Sequence, residues 1–173
     1  HNFTIHALPE FSDAYVKIDV AEVSFAGKAV KPAVTVSYYP EGVGKGEAIV
    51  LKEKIAYTVS YRNHKAAGTA TVKITPKSYA FANKAQTVLE KNFTIRKGNL
   101  EGTGVVVAAI KTQTYKNKEV CPKVSIKFKG YKLKEGRDYT LTYENNQKRG
   151  VGTVTITGCG SFEGQISRQF TIQ

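Results

Sequence analysis

The feature that most constrains this chain is that it repeats itself. Tyr57-Thr58-Val59-Ser60-Tyr61-Arg62-Asn63 recurs as Tyr139-Thr140-Leu141-Thr142-Tyr143-Glu144-Asn145, an offset of 82 residues. Gly68 and Gly150 keep that offset, as do Val72-Lys73-Ile74-Thr75 and Val154-Thr155-Ile156-Thr157. Upstream, Phe25, Lys28, Val30, Pro32, Val34 and Val36 match Tyr115, Lys118, Val120, Pro122, Val124 and Ile126 at an offset of 90. Downstream, Phe93-Thr94-Ile95 matches Phe170-Thr171-Ile172 at 77. The changes of offset are insertions in the first copy, around Pro40 to Ala48 and Pro76 to Leu89. Both are rich in Gly, Pro, Lys or Ala, and insertions of that kind belong in surface loops. A chain of 173 residues is long enough for two small domains.

Each copy reads as strands. Tyr57, Val59 and Tyr61 alternate with Thr58 and Ser60. Val124, Ile126 and Phe128 alternate with Lys123, Ser125, Lys127 and Lys129, and Val154 and Ile156 with Thr153, Thr155 and Thr157. Period two marks a strand with one face buried and one wet. Asn63 and Asn145 lie in the polar turns that follow, where Asn tolerates left-handed backbone. Val, Ile, Tyr, Phe and Thr favour pleated surfaces, and no stretch offers an apolar period of 3.6. The segment Leu100 to Ile110 is the most ambiguous, but Gly102, Gly104 and Val105-Val106-Val107 favour a strand there. The expected fold class is all-β, with two tandem immunoglobulin-like β-sandwich domains. Tyr57, Val59, Tyr61, Val72 and Ile74 are expected to fill one core. Tyr139, Leu141, Tyr143, Val154 and Ile156 are expected to fill the other.

The division follows. Residues 1–12 are expected to be the tail of a preceding repeat or a leader strand, since Asn2-Phe3-Thr4-Ile5 echoes Asn92-Phe93-Thr94-Ile95. Residues 13–95 are the first repeat, 96–99 a linker and 100–173 the second repeat. The chain starts at His1 and contains no Met, which points to a fragment of a longer array.

The stretches Lys118 to Ile126, Asp138 to Phe162 and Phe170 to Ile172 together resemble the Ig-like repeats of large surface proteins of gut-type Firmicutes. The resemblance covers nearly the whole chain, twice. It implies a secreted or wall-attached, multidomain bacterial protein in which such modules act as stalks, spacers or adhesive units, and it implies no catalytic residues. The first copy departs from the pattern: Ala56 stands at the place of Asp138, His64 at that of Asn146 and Pro76 at that of Gly158.

The remaining residues give little chemistry. The net charge is +12, which attracts polyanions by long-range forces. Residues 13–95 carry 12 Lys and Arg against 7 Asp and Glu, and residues 96–173 carry 14 against 6, so the excess is spread over both halves. Lys123, Lys127 and Lys129 form a basic stripe, read either as a weak grip on a polyanion or as a solvated strand face that discourages edge pairing. Cys121 and Cys159 stand where the first copy has Lys31 and Lys77. A disulfide between them and two free thiols are the alternative readings. His1, His6 and His64 form no triad or metal pattern. Glu90, Asp138 and Glu144 are expected at the surface. Tyr39, Tyr79 and Phe81, in or beside the insertions, are weak candidates for stacking on a glycan. A Lys–Asn cross-link of the kind some surface Ig-like domains carry would need a lysine in a core strand, and the alternation puts most lysines outside.

The expected function is therefore a non-catalytic structural spacer at the cell surface, with no cofactor, metal or catalytic residue. The alternative is an adhesin module that binds glycan or host protein through loops of the first repeat. Expected partners are other domains of the same chain and, beyond them, polysaccharide, host glycoprotein or an anionic cell-wall polymer. No specific nucleic acid is expected, and no apolar run approaches the roughly 20 residues needed to span a bilayer.

Overall fold

The computed structural model describes residues 10–77, 80–81 and 87–173. Among them every regular element is a strand, so the fold is all-β as the alternation predicts. In chain order the strands are β1 (Val16–Val20), β2 (Val23–Ser24), β3 (Val34–Tyr38), β4 (Ile49–Val50), β5 (Tyr57–Arg62), β6 (Gly68–Pro76) and β7 (Leu89–Arg96). They continue as β8 (Gly98–Asn99), β9 (Val105–Val107), β10 (Ile126–Phe128), β11 (Tyr131–Lys132), β12 (Tyr139–Glu144), β13 (Gly150–Gly158), β14 (Phe162–Glu163) and β15 (Gln165–Ile172).

Two compact units result. The first takes His1–Val23, Lys31–His64 and Thr69–Thr94. The second takes Ser24–Val30, Lys65–Gly68 and Ile95–Gln173. In the first part of the chain one sheet has the order β1-β3-β4 and another β2-β7-β6-β5. A single apolar cluster draws on both sheets, with Val16, Ile18 and Val36 from the first and Tyr57, Val72, Ile74 and Leu89 from the second. That arrangement is consistent with a β-sandwich. Phe11 joins the same cluster with no exposed surface, so this residue of the leading segment 1–12 is a core residue.

In the second unit the sheets are β9-β10-β11 and β12-β13-β15, with a short parallel pair of β8 and β14. Ile126, Phe128, Tyr139, Val154, Ile156, Phe170 and Ile172 are buried. Tyr139 fastens β12 to the segment leading into β10 by donating its hydroxyl to the carbonyl of Val124 at 3.0 Å. Residues 96–99, expected as a linker, are taken up otherwise. Arg96 ends β7, and Gly98 and Asn99 pair with Phe162 and Glu163. The pairing needs glycine at position 98, because a Cβ there would sit 2.8 Å from the Phe162 ring and 2.9 Å from the carbonyl of Phe25.

The sequence matches coincide with matched geometry. Tyr61 donates its hydroxyl to the carbonyl of Pro32 at 2.7 Å, and Tyr143 donates to that of Pro122 at 2.7 Å. Tyr61 meets Phe93 edge-on with centroids 6.3 Å apart, and Tyr143 meets Phe170 at 6.3 Å. Asn63 and Asn145 both take φ near 54°, the left-handed backbone that Asn supports. Burial pushes the Tyr143 phenol up to about 12 and also raises that of Tyr61. Both phenols therefore stay protonated and can donate throughout the neutral range.

Candidate functional site

Of the residues singled out in the sequence, Lys123 and Lys127 of the second unit share one exposed face. Alternation continues from Cys121 to Lys129: Pro122, Val124, Ile126 and Phe128 are buried, while Lys123, Ser125, Lys127 and Lys129 are exposed. Lys127 lies on the central strand of its sheet and pairs across to Val106 on β9 and to Lys132 on β11. Two like charges thus stand directly opposite each other, a destabilising arrangement in a sheet. Lys129 differs from the expected stripe. It has left the strand for a turn with φ of 47°, and its ammonium lies 5.5 Å from the centre of the Phe128 ring. Among the described residues none of Lys123, Lys127, Lys129 and Lys132 forms an ion pair.

The charge is less evenly shared than the chain order suggests. The first compact unit holds 10 Lys and Arg against 8 Asp and Glu, and the second holds 16 against 6. In the first unit Lys17 pairs with Asp19 at 3.1 Å and Lys73 with Glu90 at 3.1 Å. In the second unit Arg137 pairs with Asp138.

Asp138 corrects the expectation of a surface carboxylate. It is buried, with a side chain only 6% exposed. It accepts from the backbone N–H of Lys134 at 2.8 Å and from both Nε and Nη2 of Arg137. Burial alone would raise its pKa. The hydrogen bonds from Arg137 and Lys134, with their positive charges, outweigh that and hold it below the usual carboxylate range. Arg137 Nη2 also donates to the Tyr131 hydroxyl at 3.0 Å. This carboxylate is therefore committed to fixing a turn. No periodicity marks it; the signal available was the Arg-Asp dipeptide before Tyr139.

The other candidates are not assembled into a site. Phe81 is 3% exposed and packs edge-on against Phe11 at 4.7 Å and Tyr38 at 6.4 Å. Its ring fills the core instead of facing a ligand. Tyr39 is half-buried, and Tyr79 lies outside the described residues. His64 stands in a turn with its ring 5.7 Å from that of Tyr61. Glu90 and Glu144 are exposed, as expected. The buried polar residues among those described are Ser37, Asp138 and Asn146, so no lysine occupies a core position there. Among the described residues no three His, Cys, Asp or Glu side chains gather as a metal site.

Both cysteines are free, which removes the disulfide reading. Cys121 is contacted by Asn146 Nδ2 at 3.5 Å, beyond the end of β12. Cys159 is bonded through its N–H to the carbonyl of Asp138 at 3.0 Å, before the start of β12. The six residues of that strand separate the two by about 17 Å, whereas a disulfide needs Cα atoms within about 7 Å. Denatured, unreduced protein is expected to take up two thiol adducts, with an unmodified intact mass equal to that of the sequence. A mass lower by two hydrogens, or by one ammonia, would contradict this geometry.

No family model, curated protein or solved structure matches the chain.

Proposed function

We propose that the chain is two immunoglobulin-like β-sandwich modules in series, serving as a non-catalytic spacer within an extracellular or surface-attached bacterial protein. The observation that carries this reading is the recurrence of the same internal fastenings at sequence-matched places. Tyr61 to Pro32 and Tyr143 to Pro122 are the same hydrogen bond at the same 2.7 Å. The sheets also correspond: β1-β3-β4 with β9-β10-β11, and β5-β6-β7 with β12-β13-β15. The polar groups that are buried hold backbone. Asn146 donates to the carbonyl of Val120, and Asp138 accepts from Lys134. Side chains used in this way serve architecture, which is what a spacer needs. The burial of Phe81 supports the spacer over an adhesin that uses rings of the second insertion.

Pulling the chain by its ends tests the proposal. Two unfolding events are expected, each releasing roughly 25–30 nm of chain, as about 80 residues at up to 3.6 Å each provide. A single event that releases the whole length at once would overturn the reading of two modules in series.

A further inference from the structure

The lysine face of the second unit is not required by the fold. The first unit contains the same cross-strand position in the same register. Ser37 opposes Val50 and Tyr38 opposes Ile49, just as Lys127 opposes Lys132 and Phe128 opposes Tyr131. At the same offsets Lys123 corresponds to Ala33 and Lys129 to Tyr39. Neutral residues therefore stand at these positions in one sheet where lysines stand in the other, and the lysine that opposes Ser37 there, Lys17, is paired with Asp19.

Defence of a sheet edge accounts for Lys132 on the edge strand β11 but not for Lys127. Charge on an edge strand discourages pairing with another chain, but Lys127 sits on β10, the middle strand of β11-β10-β9. Among the described residues no acid forms an ion pair with these lysines, and three of the unit's acids have other partners. Asp138 is held by Arg137, Glu119 accepts from Gln147 and Glu101 accepts from the N–H of Gln165. A feature that breaks a local rule without compensation inside the molecule points to compensation from outside it.

We propose that the outer face of the β9-β10-β11 sheet binds a linear anionic polysaccharide. Lys127 and Lys132 form its cationic pair, and Lys123, exposed in the same alternation, extends it. The chemistry of the face selects this partner. Lysine presents a compact, strongly hydrated point charge, without the planar fork by which arginine grips phosphate in two places. Single-stranded nucleic acid requires exposed rings on which bases stack, and the nearby rings are occupied. Phe128 is 3% exposed, and the Tyr131 ring is pressed against Gly27, where an added Cβ would lie 2.2 Å from it. Insertion into a membrane surface requires an apolar flank, and here Val106, 61% exposed, stands alone opposite Lys127. A chain of uronate or sulfate groups asks only for cations at regular intervals. Neighbouring strands about 4.8 Å apart supply them.

This site goes beyond the spacer reading and can fail without it. The test measures affinity of the whole chain for heparin and for polygalacturonate, with single-stranded DNA and phosphatidylserine vesicles as the other polyanions, across a salt series. Binding to one or both glycans is expected, falling steeply with salt. The variant Lys127→Gln/Lys132→Gln is expected to weaken it about tenfold. The charge-matched variant Lys45→Gln/Lys54→Gln, in exposed residues of the first unit, is expected to weaken it less than about twofold. Preference for heparin assigns sulfate, and preference for polygalacturonate assigns carboxylate. Equal losses in the two variants would overturn the proposal, because net charge alone would then be responsible. DNA or vesicles binding as tightly as the glycans would overturn it too, and so would no retention on any of the four.

Discussion

Phe162→Ala is expected to destabilise the second unit by about 3–5 kcal/mol, the range for truncating a buried aromatic side chain. Phe162 is 1% exposed. Its ring meets Phe128 edge-on at 5.4 Å and Phe25 at 5.5 Å, while the backbone of Gly98 lies against it too closely to admit a methyl group. Neighbours on three sides, two of them in strands, cannot all move inward, so truncation leaves a cavity instead of a collapsed site. A small domain has only about 5–15 kcal/mol of stability in total. The loss is therefore expected to bring the second unit close to unfolding at physiological temperature. Hydrogen exchange reads it locally: protection in β12, β13 and β15 should fall by the full amount. Phe81→Ala, in the first unit, should act in the same way on β5 and β6. A loss below about 1 kcal/mol for Phe162→Ala would mean that the ring does not organise the core as the packing indicates.

The parts of this architecture that can be read from sequence are those governed by neighbours in sequence. Tyr57 to Arg62 and Tyr139 to Glu144 announce themselves by alternation, and their burial patterns are identical in the fold. Asn63 and Asn145 announce the left-handed turns. Cys159 and Lys77 were matched by position, and both donate their N–H to the carbonyl 21 residues earlier, that of Asp138 and of Ala56 respectively.

What alternation cannot supply is long-range partnership. Gly98 and Asn99 have the composition of a linker, yet Phe162 offers them a strand edge. Phe81 lies in an insertion, and its burial depends on Phe11, 70 residues away. The cysteines occur together in one copy and are absent together from the other, which suggested a bond. Only the placement of β12 between them shows that co-occurrence was not contact. The lysines were visible from the start, but their significance depends on the register. Lys132 becomes the cross-strand partner of Lys127 only once the β10–β11 turn closes.

Asp138→Ala is expected to cost the second unit about 2 kcal/mol at pH 7, the worth of hydrogen bonds to a charged group, without abolishing the fold. The first copy shows why the turn survives. Ala56 occupies the equivalent place, and its N–H still bonds the carbonyl of Lys52 at 2.9 Å, as Asp138 N–H bonds that of Lys134 at 2.8 Å. The backbone thus closes the turn by itself, and the carboxylate adds its bonds to Lys134 N–H and Arg137. Because Arg137 is half exposed, water takes over its solvation when the carboxylate is gone. That keeps the cost below the figure for breaking a wholly buried pair. The dependence on pH has a definite sign. A carboxylate whose folded pKa is lowered contributes stability that is fully present above its unfolded pKa, near 3.9. The contribution is lost as pH falls through the folded value. Urea titrations at pH 7 and at several values below 4 should show the gap between wild type and Asp138→Asn closing as acid is added. Asparagine keeps the shape and an acceptor for Lys134 N–H but cannot titrate. A gap that stays constant down to the lowest pH would show that the carboxylate's charge contributes nothing, and that Arg137 is an ornament of the turn and not one of its supports.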